Sequence, residues 1–441
     1  MDFPLDTLRK RGLLLAACAL LATLFCYQAI GLELASRDIR SGDPARMKKA
    51  VALEPGYADY WDEMGRFLQF DLDDPDLQGA LQNYEVAVKL SPLTARYWTD
   101  LAVAHENLGD IPQARQDFLR ALAVYPASAD VHWAYGNFLL RQEEIPAALE
   151  EMHIAATQNR DLLPLAITRA WRATLDADQL AASVLPRAPL AYIEALNFFA
   201  REQNVEPGLK IWNHLAQLHQ SFDIAAIFPF LDEVIREGRG ADGERVWLEA
   251  LAACGLPHDP PANRSVVWNG GFERDILNGG FDWRMMPMLG MGTEYDTNIY
   301  HEGRRSLRMD FEGGANIDLY EPLQFVAVEP DVTYHFQAYL RTEALTTESG
   351  LGFYVYDPGN QRFVYLLTNR LTGSHPWTAL AGDIHTGAGT HILEIVVRRQ
   401  QSRLFENKLS GTAWIDDVSL IPATGDATTE TSPGATSRGA P

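Results

Sequence analysis

The longest apolar segment of the chain lies close to its N-terminus. Residues Gly12–Leu32 read GLLLAACALLATLFCYQAIGL and contain no charged side chain. A helix of about 20 apolar residues is long enough to cross the hydrocarbon core of a bilayer. Arg9, Lys10 and Arg11 directly precede the segment, which favours a cytoplasmic N-terminus, although five basic residues also follow it between positions 37 and 49. The pattern predicts a membrane-spanning helix.

A cleaved signal peptide is the alternative interpretation of the same segment. Ala35 has Glu33 two positions before it, so no good small-x-small cleavage site follows, and the residues before Cys26 match a lipoprotein motif poorly. We therefore predict that residues 1–35 form a short cytoplasmic stub and an uncleaved signal anchor in a bacterial inner membrane. No second apolar run of spanning length follows, so the chain from Ser36 onward is expected on the periplasmic side.

Small and large apolar residues then recur with a period of 34 residues. The period needs one three-residue insertion in the loop at residues 71–76. Small residues at the repeated positions let two antiparallel helices approach closely, a large residue fills the space between them, and a proline ends the second helix. The three sets are Trp61, Gly65, Ala80, Tyr84, Ala87 and Pro92; then Ala102, Ala114, Phe118, Ala121 and Pro126; then Gly136, Ala148, Met152, Ala155 and Arg160.

This pattern resembles the tetratricopeptide repeat over three full units, and Met47, Ala50 and Pro55 match the end of a preceding half unit. Looser units follow Asp161. The resemblance implies an α-α solenoid over residues 36–255 whose surface binds a protein partner. The alternative is a spacer that carries the next domain away from the membrane. The looser units are marked by Ala195, Leu196, Phe199, Trp212 and Leu215, and by Gly243, Trp247 and Ala250.

The pattern changes to that of β-structure after a linker predicted at residues 256–265, where prolines and a glycine break the helical period. From Val266 onward, short alternating runs rich in Val, Tyr, Phe and Thr are separated by Gly, Asn and Asp. They predict an antiparallel β-sandwich of eight to ten strands over residues 266–422. Residues 423–441, rich in Thr, Ser, Gly, Ala and Pro, are expected to be a disordered tail. The fold class is therefore a multidomain α plus β chain.

Four phrases in the β region carry a second resemblance. They are Trp268-Asn-Gly-Gly-Phe-Glu273, Gly303-Arg-Arg-Ser-Leu-Arg308, the run from Val328 through Thr342, and Gly411-Thr-Ala-Trp-Ile-Asp-Asp-Val-Ser-Leu420. Their order and spacing look like those of the jelly-roll carbohydrate-binding modules of the galactose-binding-like superfamily. The resemblance spans residues 266–422 and implies a jelly-roll sandwich, although none of the phrases indicates which sugar, if any, is bound.

In such modules the opening and closing phrases often hold a structural calcium ion. Matched by phrase, the resemblance implies oxygen ligands from Glu273, from Asp416 or Asp417, and from the backbone near Glu302 and Gly303. Calcium prefers six to eight hard oxygen ligands, so carboxylates and carbonyls suit it. The alternative is that these carboxylates accept hydrogen bonds from backbone N–H groups at a strand end.

Alternation along the predicted strands suggests a sugar-binding surface, because strand side chains point to opposite faces with period 2. Phe336, Phe353 and Ile395 represent the inward set. The outward set combines aromatic rings, which stack on the apolar face of a pyranose, with polar groups that bind its hydroxyls. The alternative is an ordinary solvated sheet face. The predicted sugar-binding residues are His335, Gln337, Tyr339, Arg341, Tyr354, Tyr356, Glu394 and Arg398.

Composition narrows the functional classes. The 441-residue chain has 37 basic and 59 acidic residues, a net charge of −22, which excludes a generic nucleic-acid binder. Two of the three cysteines lie in the apolar segment, which excludes a disulfide framework and a cysteine-rich metal site. The motifs GxSxG, HExxH, CxxC, GxGxxG and a phosphate-binding loop are absent, so we predict a non-enzyme.

These observations predict a membrane-anchored scaffold that binds a polysaccharide through the jelly roll and a protein through the solenoid. The domain pairing suggests bacterial exopolysaccharide or O-antigen assembly. One alternative is a protein–protein adaptor without sugar binding, and another is a glycan-processing enzyme of unrecognised type.

Overall fold

A computed structural model describes residues 7–72, 74–257, 264–346, 348–360, 363–405 and 407–423. The chain divides into two compact units, Met1–Pro186 and Arg187–Pro441. The described helices are α1 (Leu8–Ile39), α2 (Pro44–Leu53), α3 (Ala58–Phe70), α4 (Leu77–Leu90), α5 (Ala95–Asn107), α6 (Ile111–Val124), α7 (Ala129–Arg141), α8 (Ile145–Gln158), α9 (Leu163–Thr174), α10 (Ala177–Ser183), α11 (Pro189–Arg201), α12 (Val205–Ala216), α13 (Phe228–Arg236) and α14 (Gly240–Ala253). The described strands are β1 (Met291–Asp296), β2 (Ser306–Glu312), β3 (Leu319–Ala327), β4 (Thr333–Leu345), β5 (Gly352–Tyr356), β6 (Val364–Leu367), β7 (Gly373–His385), β8 (Ile392–Arg399) and β9 (Ser410–Pro422).

Helix α1 is the one described helix that is long and apolar enough to cross a membrane. Its 32 residues begin after Thr7, whose hydroxyl accepts a hydrogen bond from the Lys10 N–H. The apolar side chains of its first two thirds are exposed, whereas Ala35 and Ile39 in its last turns are buried against α2 and α3. Length and composition fit a membrane anchor or a signal sequence, and the same helix continues into the first packed layer of the helical array.

Helices α3–α8 form three antiparallel pairs at the predicted 34-residue period. The small residues of the pattern are buried, and so are the large residues that fill the space between the helices, Tyr84, Phe118 and Met152. At Gly65 a Cβ atom would lie 2.7 Å from a ring carbon of Tyr84, which is too close for any side chain. Close helix contact therefore explains why the pattern alternates small and large residues.

A hydrogen bond recurs where each pair meets the preceding one. The ring N–H groups of Trp61 and Trp98 donate to the carbonyl oxygens of Pro55 and Pro92, each over 2.9 Å. His132 Nε2 lies 2.8 Å from the Pro126 carbonyl oxygen, six residues earlier in the chain as in the other two cases. The bond satisfies a backbone carbonyl group in the turn between two helices, which has no helical partner.

The β region is a sandwich of two antiparallel sheets among the described strands. The five-stranded sheet has the order β1-β2-β9-β4-β7, and the four-stranded sheet has the order β3-β8-β5-β6. One core lies between them, and it contains the predicted inward residues Phe336, Phe353 and Ile395. The alternation inferred from the sequence is therefore correct for β4, β5 and β8, and the predicted fold class is confirmed.

Helices α11–α14 belong to the same compact unit as the sandwich. Helix α14 packs against β3. A Cβ atom at Gly240 would lie 2.1 Å from the His391 carbonyl oxygen, and one at Gly280 would lie 2.6 Å from the Trp247 ring. The contact thus requires glycine at both positions, and Gly280 also has a φ of 57°, which favours glycine.

The predicted domain limits stay a prediction. Much of the linker expected at 256–265 lies outside the described residues, as does the expected tail beyond Ala423. What the structure adds is that residues 187–253, assigned from the sequence to the solenoid, share a unit with the sandwich.

A paired substitution tests the position of β5. Phe353 is fully buried in the sandwich core, whereas its neighbour Tyr354 is half-buried on the opposite side of the strand. Phe353→Ala should lower the free energy of unfolding by about 3–5 kcal/mol because it leaves a cavity. Tyr354→Ala should lower it much less. Urea unfolding of both variants measures the difference, and the reverse order would mean that β5 is shifted by one residue.

Candidate functional site

The eight residues predicted to bind sugar lie on two different sheets. His335, Gln337, Tyr339 and Arg341 are on β4 of the five-stranded sheet, whereas the other four are on β5 and β8 of the four-stranded sheet. Both sets point away from the shared core, so they occupy opposite outer faces of the sandwich. The prediction of one surface formed by all eight is therefore wrong, because alternation shows which side faces inward but not which sheet a strand joins.

Aromatic rings cluster on the outer side of the five-stranded sheet. The His301 and Tyr339 rings stack with centroids 3.6 Å apart and planes 17° apart. Trp377 on β7 meets His301 edge-on at 5.8 Å. We call Tyr339, His301 and Trp377 the aromatic face; Trp414 on β9 lies nearby but is buried. Neither tryptophan nor His301 was identified from the sequence.

Polar side chains of β4 surround this aromatic face. The Gln337 side-chain amide donates to the Tyr339 hydroxyl over 2.8 Å, and His335 Nδ1 lies 2.8 Å from a carboxylate oxygen of Asp383. Arg341 lies over Trp414, with the guanidinium carbon 5.3 Å from the ring centroid. Its buried Nε–H makes no hydrogen bond within the described residues.

Neighbouring side chains fix the orientation of Trp414. Its indole N–H donates to Asp296 over 2.8 Å, and Arg308 flanks it on the side away from Arg341, one strand over. Burial alone would raise the pKa of Asp296, but hydrogen bonds from Trp414 and from two backbone N–H groups together lower it. The ionised carboxylate therefore holds the indole ring in one orientation.

The outer side of the four-stranded sheet is less accessible than the sequence suggested. Tyr356 and Glu394 face away from the core as predicted, but each is only 5% exposed. Burial raises the pKa of Glu394 to about 7, opposed by a hydrogen bond from Tyr320 and by the charge of Arg284. These two side chains are packed against protein and do not offer a surface to a ligand from solution.

The remaining two predicted residues of this sheet are bound to neighbours within the protein. The Tyr354 hydroxyl accepts a hydrogen bond from Arg370 over 2.5 Å. Arg398 donates to Asp318 and to the Leu319 carbonyl oxygen. Alternation along the strands could not reveal this, because the partners come from distant segments.

The carboxylates assigned to calcium do meet, at an irregular point of β9, the central strand of the five-stranded sheet. A Cβ atom at Gly271 would lie 3.5 Å from an Asp417 oxygen, 3.8 Å from an Asp416 oxygen and 3.9 Å from Glu273 Cγ. Glycine thus leaves a space with acidic side chains around it. His301, Glu302 and Asp417 also bring ligand atoms within 4.8 Å of one another.

Hydrogen bonds already use part of this oxygen set. Asp416 accepts from the backbone N–H groups of His301 over 2.8 Å and of Asp417 over 2.9 Å. Glu273 accepts from the N–H groups of Arg304 and Arg305. Burial, with the neighbouring Asp417 charge, raises the pKa of Asp416 to about 7. The donor chemistry and the space over Gly271 fit a calcium ion, whose charge would compensate the crowded carboxylates.

A second charged cluster lies between the first two tetratricopeptide-type pairs. Asp62 is fully buried, with Arg96 Nη2 3.1 Å from one of its oxygens, and Arg66 pairs with Asp100 over 3.0 Å. Burial and the Asp100 charge together raise the pKa of Asp62 to about 7, although the two arginines act to lower it. Arg96 also pairs with Asp59 over 2.6 Å. The cluster ties α3 to α5.

Comparison with known proteins identifies the repeats directly. The tetratricopeptide repeat family model matches residues 72–123 and 99–161. The chain therefore carries tetratricopeptide repeats, which are protein-interaction modules, as predicted. No curated protein sequence matches the chain significantly.

Two solved structures are similar to parts of the chain. One, described as "CBM4 structure and function", is 12% identical, with 36% of this chain and 99% of that chain covered and a TM-score of 0.27. The other, "Crystal Structure of the Yeast Tom70", is 16% identical, with 44% of this chain and 43% of that chain covered and a TM-score of 0.29. Because both TM-scores are low, the fold assignment rests on the helices and sheets described above.

The buried Asp62 makes stability depend on pH. Its folded-state pKa of about 7 lies above the ordinary aspartate pKa of 3.8, so the folded protein binds the proton more tightly than the unfolded chain. This stabilisation is complete below about pH 4 and is lost as the pH rises to about 7. Asp62→Asn should flatten the fall in urea midpoint between pH 4.5 and 8.

Glu85→Gln, a half-exposed carboxylate on α4, is the matched control and should keep the slope of the parent protein. Both variants are compared in chains that begin at Glu33. An Asp62→Asn variant with the parent's slope would contradict the assignment.

Proposed function

We propose that this protein is a membrane-anchored scaffold that binds a protein partner through its tetratricopeptide repeats and a polysaccharide through its β-sandwich. It acts in the bacterial envelope, with the bulk of the chain in the periplasm, in the assembly of an exopolysaccharide or O-antigen. It has no catalytic role of its own. Incubation of any bound polysaccharide with the protein, followed by analysis of chain length, tests the last point.

The aromatic face is the observation that carries the sugar-binding proposal. Tyr339, His301 and Trp377 present rings beside the polar side chains of Gln337 and Arg341. Ring faces bind the apolar C–H surface of a pyranose, and the polar groups around them fix the orientation of its hydroxyls. The buried Arg341 Nε–H has no acceptor among the described residues, so it is a donor that a ligand oxygen could satisfy once the side chain moves.

The continuity of α1 supports the anchor. Ala35 is fully buried against the helices that follow, and Ile39 is 7% exposed in the same cluster. Cleavage near Ser36 would remove Ala35 and cut the helix between these two residues. A retained segment keeps this packing, and it places the first repeat directly next to the membrane surface.

We also propose that the space over Gly271 holds a structural calcium ion. Glu273, Asp416 and Asp417 would supply carboxylate oxygens, with the backbone near Glu302 completing the set. The ion would fix this part of β9 beside His301, which belongs to the aromatic face and whose Nδ1 lies 2.7 Å from an Asp417 carboxylate oxygen.

Substitutions on the two outer faces test sugar binding. Tyr339→Ala and Trp377→Ala should each weaken binding by about 1–2 kcal/mol, roughly five- to thirtyfold, because each removes apolar surface that a sugar would bury. Tyr354→Ala removes the same kind of ring from the opposite sheet and should bind as the parent does. Affinity electrophoresis in gels containing β-glucan, xylan or the host's own envelope polysaccharide measures the effect.

A folded parent protein that none of these polysaccharides retards would favour the adaptor without sugar binding. Equal binding by the parent and both aromatic-face variants would place any sugar site elsewhere.

Calcium is tested by thermal unfolding. An ion that binds only the folded sandwich raises its melting temperature by mass action, so added calcium should raise it and chelator should lower it. Glu273→Gln should abolish the difference, whereas Glu312→Gln, an exposed carboxylate on β2, should preserve it. If neither calcium nor chelator changes the melting temperature of the parent protein, these carboxylates have a purely structural role.

A further inference from the structure

A cleft opens inside the second compact unit, between the helices and the sandwich. Its volume is about 910 Å³, within the range of about 300–1,000 Å³ that is typical of small-ligand sites. One wall comes from α11 and α13, including Ala200 and Asp232. The other comes from the loops after β5 and before β8, including Asn360 and His391, and Phe325 of β3 lies between them.

The inner part of the cleft is built around Arg284. Its Nη2 donates to Asp232 over 2.5 Å and to the Gly280 carbonyl oxygen over 2.9 Å. Its guanidinium carbon lies 4.9 Å from the centre of the Phe325 ring. The Nε–H of Arg284 is buried and has no hydrogen-bond partner among the described residues, so it is a donor left for a ligand or water.

Carboxylates compensate the arginines of the cleft, and Glu237 and Asp357 add negative charge that no arginine among the described residues pairs with. Each arginine in its lining has a carboxylate partner: Arg284 pairs with Asp232, Arg236 with Glu233, and Arg201 with Glu194. A strongly anionic ligand would have to compete with these carboxylates. An uncharged ligand would not, which favours a neutral molecule.

Some polar side chains of the cleft are not paired within the described residues, and together they can both donate and accept hydrogen bonds. The side chains of Asn360, His391 and Glu237 line the cleft, and within the described residues none of them takes part in a hydrogen bond or ion pair. Pro229 and Pro358 add apolar surface. Hydroxyl groups that donate and accept, carried on a ring with an apolar face, match this mixture.

We propose that this cleft binds a short segment of neutral oligosaccharide, at a site separate from the aromatic face. The inference rests on the proposed function, because it takes the sandwich unit to be a sugar-binding unit. It adds a second site, formed jointly by helices and sheet, so that one chain contacts a polysaccharide at two places and gains from the high effective concentration of the second contact.

Filling the cleft tests the proposal. Ala200 is half-buried in one wall, and Ala200→Trp would occupy the cleft with an indole ring. Ala225→Trp adds the same ring at an exposed position outside the lining and is the matched control. Asn360→Ala, at an exposed loop position, removes one donor and acceptor with little risk to folding.

The full chain is used in a detergent without a sugar headgroup, with cellohexaose, laminarihexaose and, as the anionic comparison, hexagalacturonate as probes. Hydrogen exchange reports where each probe binds, and titration calorimetry reports affinity. A neutral hexasaccharide should protect residues 357–360 and 389–392 in the parent protein, in Ala225→Trp and in Tyr339→Ala. Protection should vanish in Ala200→Trp, and Asn360→Ala should bind at least about fivefold more weakly.

The outcomes separate this proposal from the proposed function. Unchanged protection in Ala200→Trp, or protection confined to β4 and abolished by Tyr339→Ala, would overturn the cleft and leave the aromatic face standing. Protection by hexagalacturonate alone would overturn the neutral ligand class. If neither neutral hexasaccharide protects these residues, the cleft site is overturned. The proposed function is overturned as well only if the protein retards no polysaccharide in the electrophoresis experiment.

Discussion

The close approach of α14 to the sandwich is the contact on which the second unit depends. Gly240 and Gly280 bring backbone against backbone and backbone against indole at distances that no side chain would allow. Interiors packed at this density tolerate little change in volume, so the helices and the sheets are held as one body. The cleft lies beside this contact, because His391, whose carbonyl group meets Gly240, also lines it, and Arg284 pairs with Asp232 within it.

The two outer faces of the sandwich are unequal. Helix α14 packs against β3 on the four-stranded sheet, and Tyr356 and Glu394 of that sheet are buried. The five-stranded sheet instead carries the stacked rings of Tyr339 and His301. The aromatic face and the cleft both belong to the second compact unit.

The features of the structure that repeat regularly along the chain could be predicted from the sequence. The spacing of Gly65 and Tyr84 predicted a helix pair, because a close helix contact needs one small and one large residue. The inward orientation of Phe353 could be predicted because successive side chains of a strand alternate between its two faces. The sheet to which a strand belongs depends on pairing between distant segments, so β4 and β5 were wrongly joined into one surface. His301 was missed because its partners, Tyr339 and Asp417, are far away in the chain, although it directly precedes the Glu302–Gly303 backbone that the resemblance had matched.

The central claim is that one chain links a polysaccharide to a membrane, and vesicle flotation tests it most directly. Full-length protein is reconstituted into liposomes, mixed with a fluorescent polysaccharide that the protein retards in gels, and centrifuged through a density gradient. The account predicts that the polysaccharide floats with the vesicles, and that it stays at the bottom when the protein begins at Glu33. Polysaccharide that remains at the bottom although the full-length protein floats would contradict the account.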